Sequence, residues 1–210
     1  MVRRLVVVLP GPVHWSPPGT GAARWRRALA EDTVDLLATM AQADPAIAVV
    51  PADRPLAAEI GWPGMPVYVL SARSVREVAG VAARDGYEQL AVIQADAPDL
   101  PGLVLAKLLR PLTTRPVAVA PAGPAAESAA PGGAPAGLLG VAVRLPVPDW
   151  LPDTDLDDAD PARIRAAAPR PGQVVVTPGW RRLRGPDDLG SLDPRVEGWD
   201  NTRALLTGTG

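Results

Sequence analysis

Residues 90 to 112 read LAVIQADAPDLPGLVLAKLLRPL, and this stretch decides the fold. It opens with a short apolar run, LAVIQA. It then passes through two aspartates three apart, Asp96 and Asp99, beside Pro98 and Pro101, and closes on an amphipathic segment. An apolar run released into Asp-Ala-Pro-Asp and then a helix is the pattern of a buried strand whose carboxyl end opens into a turn. Such strands belong to sheets covered on both faces.

The same alternation extends in both directions. Upstream, RRLVVVLP has the β-branched continuity of a buried parallel strand, stopped by Pro10-Gly11-Pro12. After a loop to about Thr20, residues 21–43 carry Trp25, Leu29, Thr33, Leu36, Leu37 and Met40 at three- and four-residue spacing, which predicts a helix. A strand at 46–52, a short helix at 54–61, a strand at 65–70 and a helix at 74–86 that stops on Gly86 follow. Downstream of the fourth strand, 89–95, come a helix at 100–112, a fifth strand at 115–122 and a strand at 137–146 that returns to the sheet. A helix from about Pro161, a last strand at 173–179 and two short helices in the tail complete the chain. The expected fold is a single α/β domain, residues 1–210, with a Rossmann-like, mostly parallel sheet flanked by helices on both faces. Residues 122–136, rich in Ala, Gly and Pro, are expected to be an exposed low-complexity loop.

Composition narrows the chemistry. The chain has 210 residues, no Cys and one His, so disulfides, thiolate sites, Cys nucleophiles and His-built zinc centres are excluded. A formal net charge of −2 gives no polycationic surface, and no nucleic acid partner is expected. The run LVVVL is too short for a secretory signal, and no stretch approaches the ~20 apolar residues of a membrane span, so no membrane is expected and a cytoplasmic location is.

Ligands of open parallel sheets collect at the carboxyl ends of strands, which is where Asp96 and Asp99 fall. A carboxylate there can hold Mg²⁺ against nucleotide phosphates, because this hard ion takes a few oxygen ligands plus substrate oxygens. Asp96 either binds a metal or ligand or shapes the turn, and Asp99 either joins it or caps the helix that follows. The loop PGPVHWSPPGTGAARWRR is the second candidate. Pro10, Gly11, Gly19 and Gly21, with Arg24, Arg26 and Arg27 in the first helical turns, could cradle an anion with backbone N–H groups and guanidiniums, although the pattern is neither a Walker loop nor GxGxxG. The alternative is a Pro-rich turn with arginines on a solvated face. His14 is either a surface residue or a base, and Trp15 either stacks on a nucleobase or covers the core. The run Asp153, Asp155, Asp157, Asp158 and Asp160 lacks EF-hand spacing and reads as a solvated face. No G-x-S-x-G supports a Ser nucleophile.

The order of elements, AVIQADAPDLP and the tail TPGWRRLRGPDDLGSLDPRVEGWDNTRALL resemble the glycosyltransferase-A-like nucleotidyltransferase superfamily. The branches they are most similar to are the guanylyltransferases of deazaflavin and molybdenum cofactor biosynthesis and related bacterial glycosyltransferase-A-like proteins. Their Asp-x-Pro-x-Leu motif is matched by Asp96, Pro98 and Leu100. Their closing Asp-x-Asp-Thr-Pro-x-Asp-Leu keeps Pro186, Asp188 and Leu189, with the acidic pair replaced by Leu183-Arg184-Gly185. Their triphosphate-gripping first loop is represented only by Gly21 and Arg24 to Arg27. The Asp-Gly-Gly-Tyr segment of one branch is reduced to Gly132 and Gly133.

The resemblance implies a Mg²⁺-dependent transfer of a nucleotidyl group from an NTP to a small acceptor. Asp96 would be the metal ligand, and Pro10, Gly11, Gly19, Gly21, Arg24 and Arg27 would bind the nucleotide. Transfer of sugar from a nucleotide-sugar, and a degenerate member that binds a nucleotide or a partner without turnover, are the alternatives. A partner-binding protein would show a contiguous apolar patch around Trp150, Trp180 and Trp199. A homodimer is the candidate assembly.

Overall fold

The computed structural model describes residues 2–123, 137–153 and 155–208. The first strand, β1 (Arg4–Val8), lies inside a seven-stranded sheet, and its residues 5–8 are all buried. It pairs in parallel with β2 (Asp44–Val49) on one side and β4 (Gln89–Ile93) on the other. Beyond β2 comes the edge strand β3 (Val67–Val69). On the far side of β4 the sheet continues through β6 (Leu138–Arg144), β5 (Val117–Pro121) and β7 (Val174–Val176), giving the order β3-β2-β1-β4-β6-β5-β7. β6 runs antiparallel to both neighbours and the other strands are parallel. Strand order reverses between β1 and β4, so the crevice at their carboxyl ends is the switch point where such sheets bind ligands.

Both faces are covered. Helices α1 (Ala22–Ala38), α2 (Arg54–Ile60) and α4 (Gly102–Leu109) bury Val34, Leu37, Ile60, Leu105 and Leu108 against Val6, Val8 and Ile93. On the opposite face α3 (Val75–Arg84) and α5 (Pro161–Ala167) bury Val78, Ala82 and Ile164 with Leu5, Val7 and Val92. A third cluster joins Trp25 and Leu29 of α1 to Leu183, packed by Val13 and Trp15 of the first loop and by Leu205 and Leu206 of α6 (Asp200–Thr207). This cluster binds the tail to the front of the sheet.

Several boundaries move for local reasons. α1 ends at Ala38 instead of reaching residue 43, and β2 starts at Asp44, whose position before Pro45 disfavours helix. α4 is shorter than expected and continues as a 3₁₀ turn over Arg110–Thr113, as Pro111 has no N–H to extend the α pattern. The first short tail helix is a 3₁₀ turn, Pro186–Ser191. Of the loop expected at 122–136, residues 124–136 lie outside the described ones. Ala122 and Gly123 do not belong to an exposed loop, since Ala122 bridges to Trp180 and the buried Gly123 donates its N–H to the Trp180 carbonyl at 2.9 Å. No helix among the described residues is long and apolar enough to cross a membrane.

Candidate functional site

Asp96 stands three residues past β4, at the switch point, and its backbone carbonyl accepts from Leu183 N–H at 2.7 Å as the tail crosses the sheet. That crossing delivers Arg182. Its Nε donates to Asp96 Oδ1 at 2.5 Å and its Nη2 to Asp96 Oδ2 at 2.8 Å, a bidentate pair. Nη2 also reaches Asp157 Oδ1 at 2.6 Å, and Nη1 the carbonyl of Leu138 at 3.3 Å. The Arg182 side chain is 4% exposed and that of Asp96 16%. Although burial opposes its charge, Asp96 and Asp157 hold the Arg182 guanidinium above its usual range.

Two further arginines enlarge this cluster. Arg73, which follows β3, donates from Nη1 to Asp157 Oδ2 at 3.0 Å, lies 3.1 Å from Asp155 Oδ2, and reaches Gln94 Oε1 with Nη2 at 3.1 Å. Burial works against the Asp157 carboxylate, but Arg182 and Arg73 outweigh it and hold its pKa below the usual carboxylate range. Arg184 Nη2 approaches Asp157 Oδ1 at 3.2 Å, and burial followed by repulsion from Arg182 lowers its pKa. Glycines make room for the assembly. A Cβ on Gly11 would stand 2.8 Å from Arg73 Nη2, and Gly137, at φ +76°, sits where a Cβ would be 2.6 Å from the Asp157 carbonyl.

The surface above this cluster is a pocket of about 130 Å³. It is lined by Pro12, Val13 and His14 of the first loop, by Asp96 and Asp157, and by Arg182, Leu183 and Arg184 of the tail. It holds a few water molecules or one phosphate-sized group, and a larger ligand would extend out of it. Its chemistry is that of charged hydrogen-bond donors and acceptors beside a single exposed imidazole.

The expected site residues are divided by the fold. Asp96 is in the pocket. Pro10 and Gly11 precede the lining residue Pro12 without lining the pocket themselves, and their carbonyls accept from Arg26 Nη2 and Nε at 3.3 and 2.7 Å. Arg26 is bidentate to Asp53 at 2.6 and 2.8 Å, so it fixes the loop after β1. Gly19 and Gly21 are exposed, Gly19 at φ +81° and Gly21 as the N-cap of α1, and neither lines the pocket. Arg24 and Arg27 line a different depression with Asn201 and Leu205 of α6, and Arg27 lies 3.6 and 3.4 Å from Glu31 and Glu59.

Asp99 neither caps α4, which has no side-chain cap, nor enters the pocket. It accepts from Trp180 Nε1 and from Asp193 N–H, both at 3.0 Å, and anchors the tail. Trp15 packs edge-on against Trp25 with ring centres 5.9 Å apart. The acidic run is not simply a solvated face: Asp155 and Asp157 turn inward to Arg73, and Asp160 caps α5. The three tryptophans form no contiguous exposed patch, because Trp199 is buried and Trp150 and Trp180 pack on opposite faces of the sheet. Arg73, Asp157 and Arg182 were missed. The available signal was positional, since Ser71-Ala72-Arg73 follows an expected strand end, and RRLR lies between the last strand and the retained Pro186. Counted back from Pro186, the family's acidic pair falls on Arg182 and Arg184, one residue from the Leu183-Arg184-Gly185 assignment made from sequence.

The residues present do not fit a Mg²⁺ centre. Both oxygens of Asp96 already accept from the buried guanidinium of Arg182, and both oxygens of the neighbouring Asp157 accept from Arg182 and Arg73.

No family model and no curated protein matches the chain. Solved structures do. A nucleotide-diphospho-sugar transferase-like protein of Desulfovibrio desulfuricans G20 is 19% identical, with 100% of this chain and 99% of that one covered and a TM-score of 0.63. CMP:2-keto-3-deoxy-manno-octonic acid synthetase, in complex with CTP, is 14% identical over 98% of this chain and 99% of its own, with a TM-score of 0.59. A Mycobacterium tuberculosis H37Rv protein in complex with manganese is 13% identical over 98% and 99%, with a TM-score of 0.54.

Proposed function

We propose that this chain, which has the α/β fold of the nucleotide-diphospho-sugar transferases and of the nucleotidyltransferase superfamily, binds a nucleotide and transfers its nucleotidyl group to a small acceptor. The observation that carries this reading is the charged pocket at the carboxyl ends of β1 and β4, where Asp96, Arg182 and Arg184 meet the first loop. A phosphate of the donor enters between His14 and Arg184, and its base and ribose extend outward over the loop that Arg26 holds in place. An acceptor oxygen attacks the α-phosphorus, the bond to the bridging oxygen breaks, and pyrophosphate leaves with the electron pair. An acceptor that attacks through an anionic oxygen has no proton to lose, so the reaction needs no base from the protein. Arg184, at the edge of the pocket, offers the donor phosphate a charged hydrogen-bond donor.

A second reading is favoured by one specific observation. The bidentate clasp of Arg182 on Asp96 leaves the central carboxylate occupied, as expected of a protein that binds a nucleotide without turning it over. Thermal-shift titration of GTP, CTP, ATP, UTP and nucleotide-sugars tests binding. At one hundred times its Kd a true ligand stabilises the native state by about 2.7 kcal/mol. Arg184→Gln, with a Kd about tenfold weaker, is expected to cut that stabilisation to about 1.4 kcal/mol, and no shift from any nucleotide overturns the proposal. Phosphorus NMR with phosphorylated acceptors then separates the outcomes. Pyrophosphate marks nucleotidyl transfer, nucleoside diphosphate marks sugar transfer, and an unchanged bound donor marks the silent binder.

A further inference from the structure

We propose that Arg182 takes the place of a divalent cation beside Asp96, so that the pocket receives a donor phosphate without any metal ion. The proposal rests on the nucleotide-binding reading for its ligand, and its metal half stands on the ion-pair geometry alone.

A cation at Asp96 would need open carboxylate oxygens and room. Both oxygens are engaged by Arg182 at 2.5 and 2.8 Å, in the planar fork geometry that Arg alone offers a carboxylate. Nor can the guanidinium withdraw cheaply. It is 4% exposed, and its Nη2 and Nη1 are held by Asp157 and the Leu138 carbonyl. An incoming ion would strand it in a water-poor place with its principal counter-charge taken away. The charge count agrees. Of the ionised residues lining the pocket, Asp96 and Asp157 are balanced by Arg182 and Arg184, so the positive charge a metal would bring is already supplied by the chain.

Arg184 is the group that meets the ligand. Its side chain is 39% exposed, and its 3.2 Å contact with Asp157 is long for a charge-assisted bond, which is typically about 2.7–2.9 Å. A phosphate oxygen can replace that acceptor and gain a shorter bond. Arg182 stays in place, fixing Asp96 and keeping its charge from repelling the phosphate. The device thus divides the two tasks of a bound cation, neutralising the carboxylate and gripping the phosphate, between two arginines separated by one residue.

Two measurements decide the matter. In the first, Mn²⁺ is titrated into the wild-type protein without nucleotide and followed by electron paramagnetic resonance. No bound ion is expected up to millimolar concentration, and one equivalent that Asp96→Asn removes overturns the proposal. Arg182→Asp, which exchanges the guanidinium for a third carboxylate beside Asp96 and Asp157, is expected to gain Mn²⁺ binding. A folded variant that gains none also overturns the proposal. If that variant does not fold, Arg182→Gln replaces it with the same criterion. In the second, the nucleotide found by thermal shift is titrated calorimetrically in EDTA and in Mg²⁺. Affinities within about twofold of each other are expected, with Arg184→Gln weakening both about tenfold, as for one lost charge-assisted bond. A hundredfold weaker binding in EDTA overturns the proposal. Absence of binding in both media instead defeats the nucleotide reading, and the Mn²⁺ titration still decides the role of Arg182.

Discussion

The loop after β1 and the tail after β7 both bring arginines to the front of the sheet, and they use them in opposite ways. In the loop and the start of α1, Arg26 turns back to hold the Pro10 and Gly11 carbonyls and Asp53, and Arg27 lies by two glutamates. In the tail, Arg182 runs inward to Asp96 and Asp157 and lines the pocket with them. The loop looks like the anion site because glycines and arginines are adjacent in sequence. The tail lines the charged pocket instead, because crossing the end of β4 puts its arginines beside carboxylates far away in the chain. Clustering along a sequence therefore says little about which counter-charge a cation will meet.

The sharpest way to break this comparison is Arg182→Met. It fills similar space but leaves Asp96 and Asp157 without their shared cation, and a loss of about 3–5 kcal/mol is expected in denaturant unfolding. Arg182→Met combined with Asp96→Asn should recover much of it, since the stranded charge goes too. A single-variant loss below about 1 kcal/mol would show that the tail pair matters no more than a surface one. The same variant should change the acid limb of the stability curve. The folded pKa of Asp157 lies below the unfolded value, so the unfolded chain takes up this proton first and stability is lost as the pH falls below about 4. Arg182→Met should make that loss shallower.

Asp32→Ala comes next. Asp32 is 1% exposed and accepts from Asn201 N–H at 3.0 Å, Asn201 Nδ2 at 2.9 Å and Thr202 N–H at 2.8 Å, so α1 caps the start of α6. Removing it orphans these donors, and a loss of about 2–3 kcal/mol is expected, with faster amide exchange at Asn201 and Thr202. Burial raises the pKa of this carboxyl more than its hydrogen bonds lower it. Its contribution is therefore greatest at acid pH and falls as the pH rises through the folded pKa, opposite in sign to that of Asp157. Asp32→Asn, which keeps an acceptor and removes the charge, should lose less than Asp32→Ala.

The architecture was legible in the sequence to a degree that the site was not. RRLVVVLP and QLAVIQA announce themselves because central strands are apolar at every position, and the strand-helix alternation then yields a doubly covered sheet. Asp96 was legible for the same reason, as a carboxylate released at the end of such a strand. Its partner was not. Arg182 lies 86 residues away, and the pair formed by Arg73 with Asp157 spans 84. No periodicity encodes either distance, which only the order of strands creates. Asp99 shows the same limit in reverse. Its spacing before α4 suits a cap, but Trp180 and the Asp193 N–H reach it from the tail and take it away.

A smaller effect sharpens the loop side of the comparison. Arg26→Ala removes the bonds to Asp53, Pro10 and Gly11 together, and a loss of about 1–3 kcal/mol is expected, the value of a partly buried charged hydrogen-bond set. Burial pulls the Asp53 carboxyl up, but its hydrogen bond to Arg26 outweighs this and keeps its pKa low. The Arg26 contribution should therefore vanish as the pH falls through that lowered value. If Arg26→Ala also weakens nucleotide binding about tenfold while Arg26→Lys restores part of it, the residue positions the loop. If stability falls and affinity does not, the pocket wall of Pro12, Val13 and His14 does not depend on this anchor.

The smallest effect is expected from Arg24→Ala and Arg27→Ala together, and it is the most direct test of the contrast between the two regions. Both side chains are exposed, and the contacts of Arg27 with Glu31 and Glu59 are of a kind worth less than about 0.5 kcal/mol each. Both arginines face the depression shared with α6, so the double variant should bind the nucleotide as the wild type does. Unchanged affinity beside a tenfold loss in Arg184→Gln would assign the phosphate grip to the tail. A large loss in the double variant would return it to the start of α1. In that case the ligand lies across the first loop and beyond the charged pocket, with Gly19 and Gly21 beneath it.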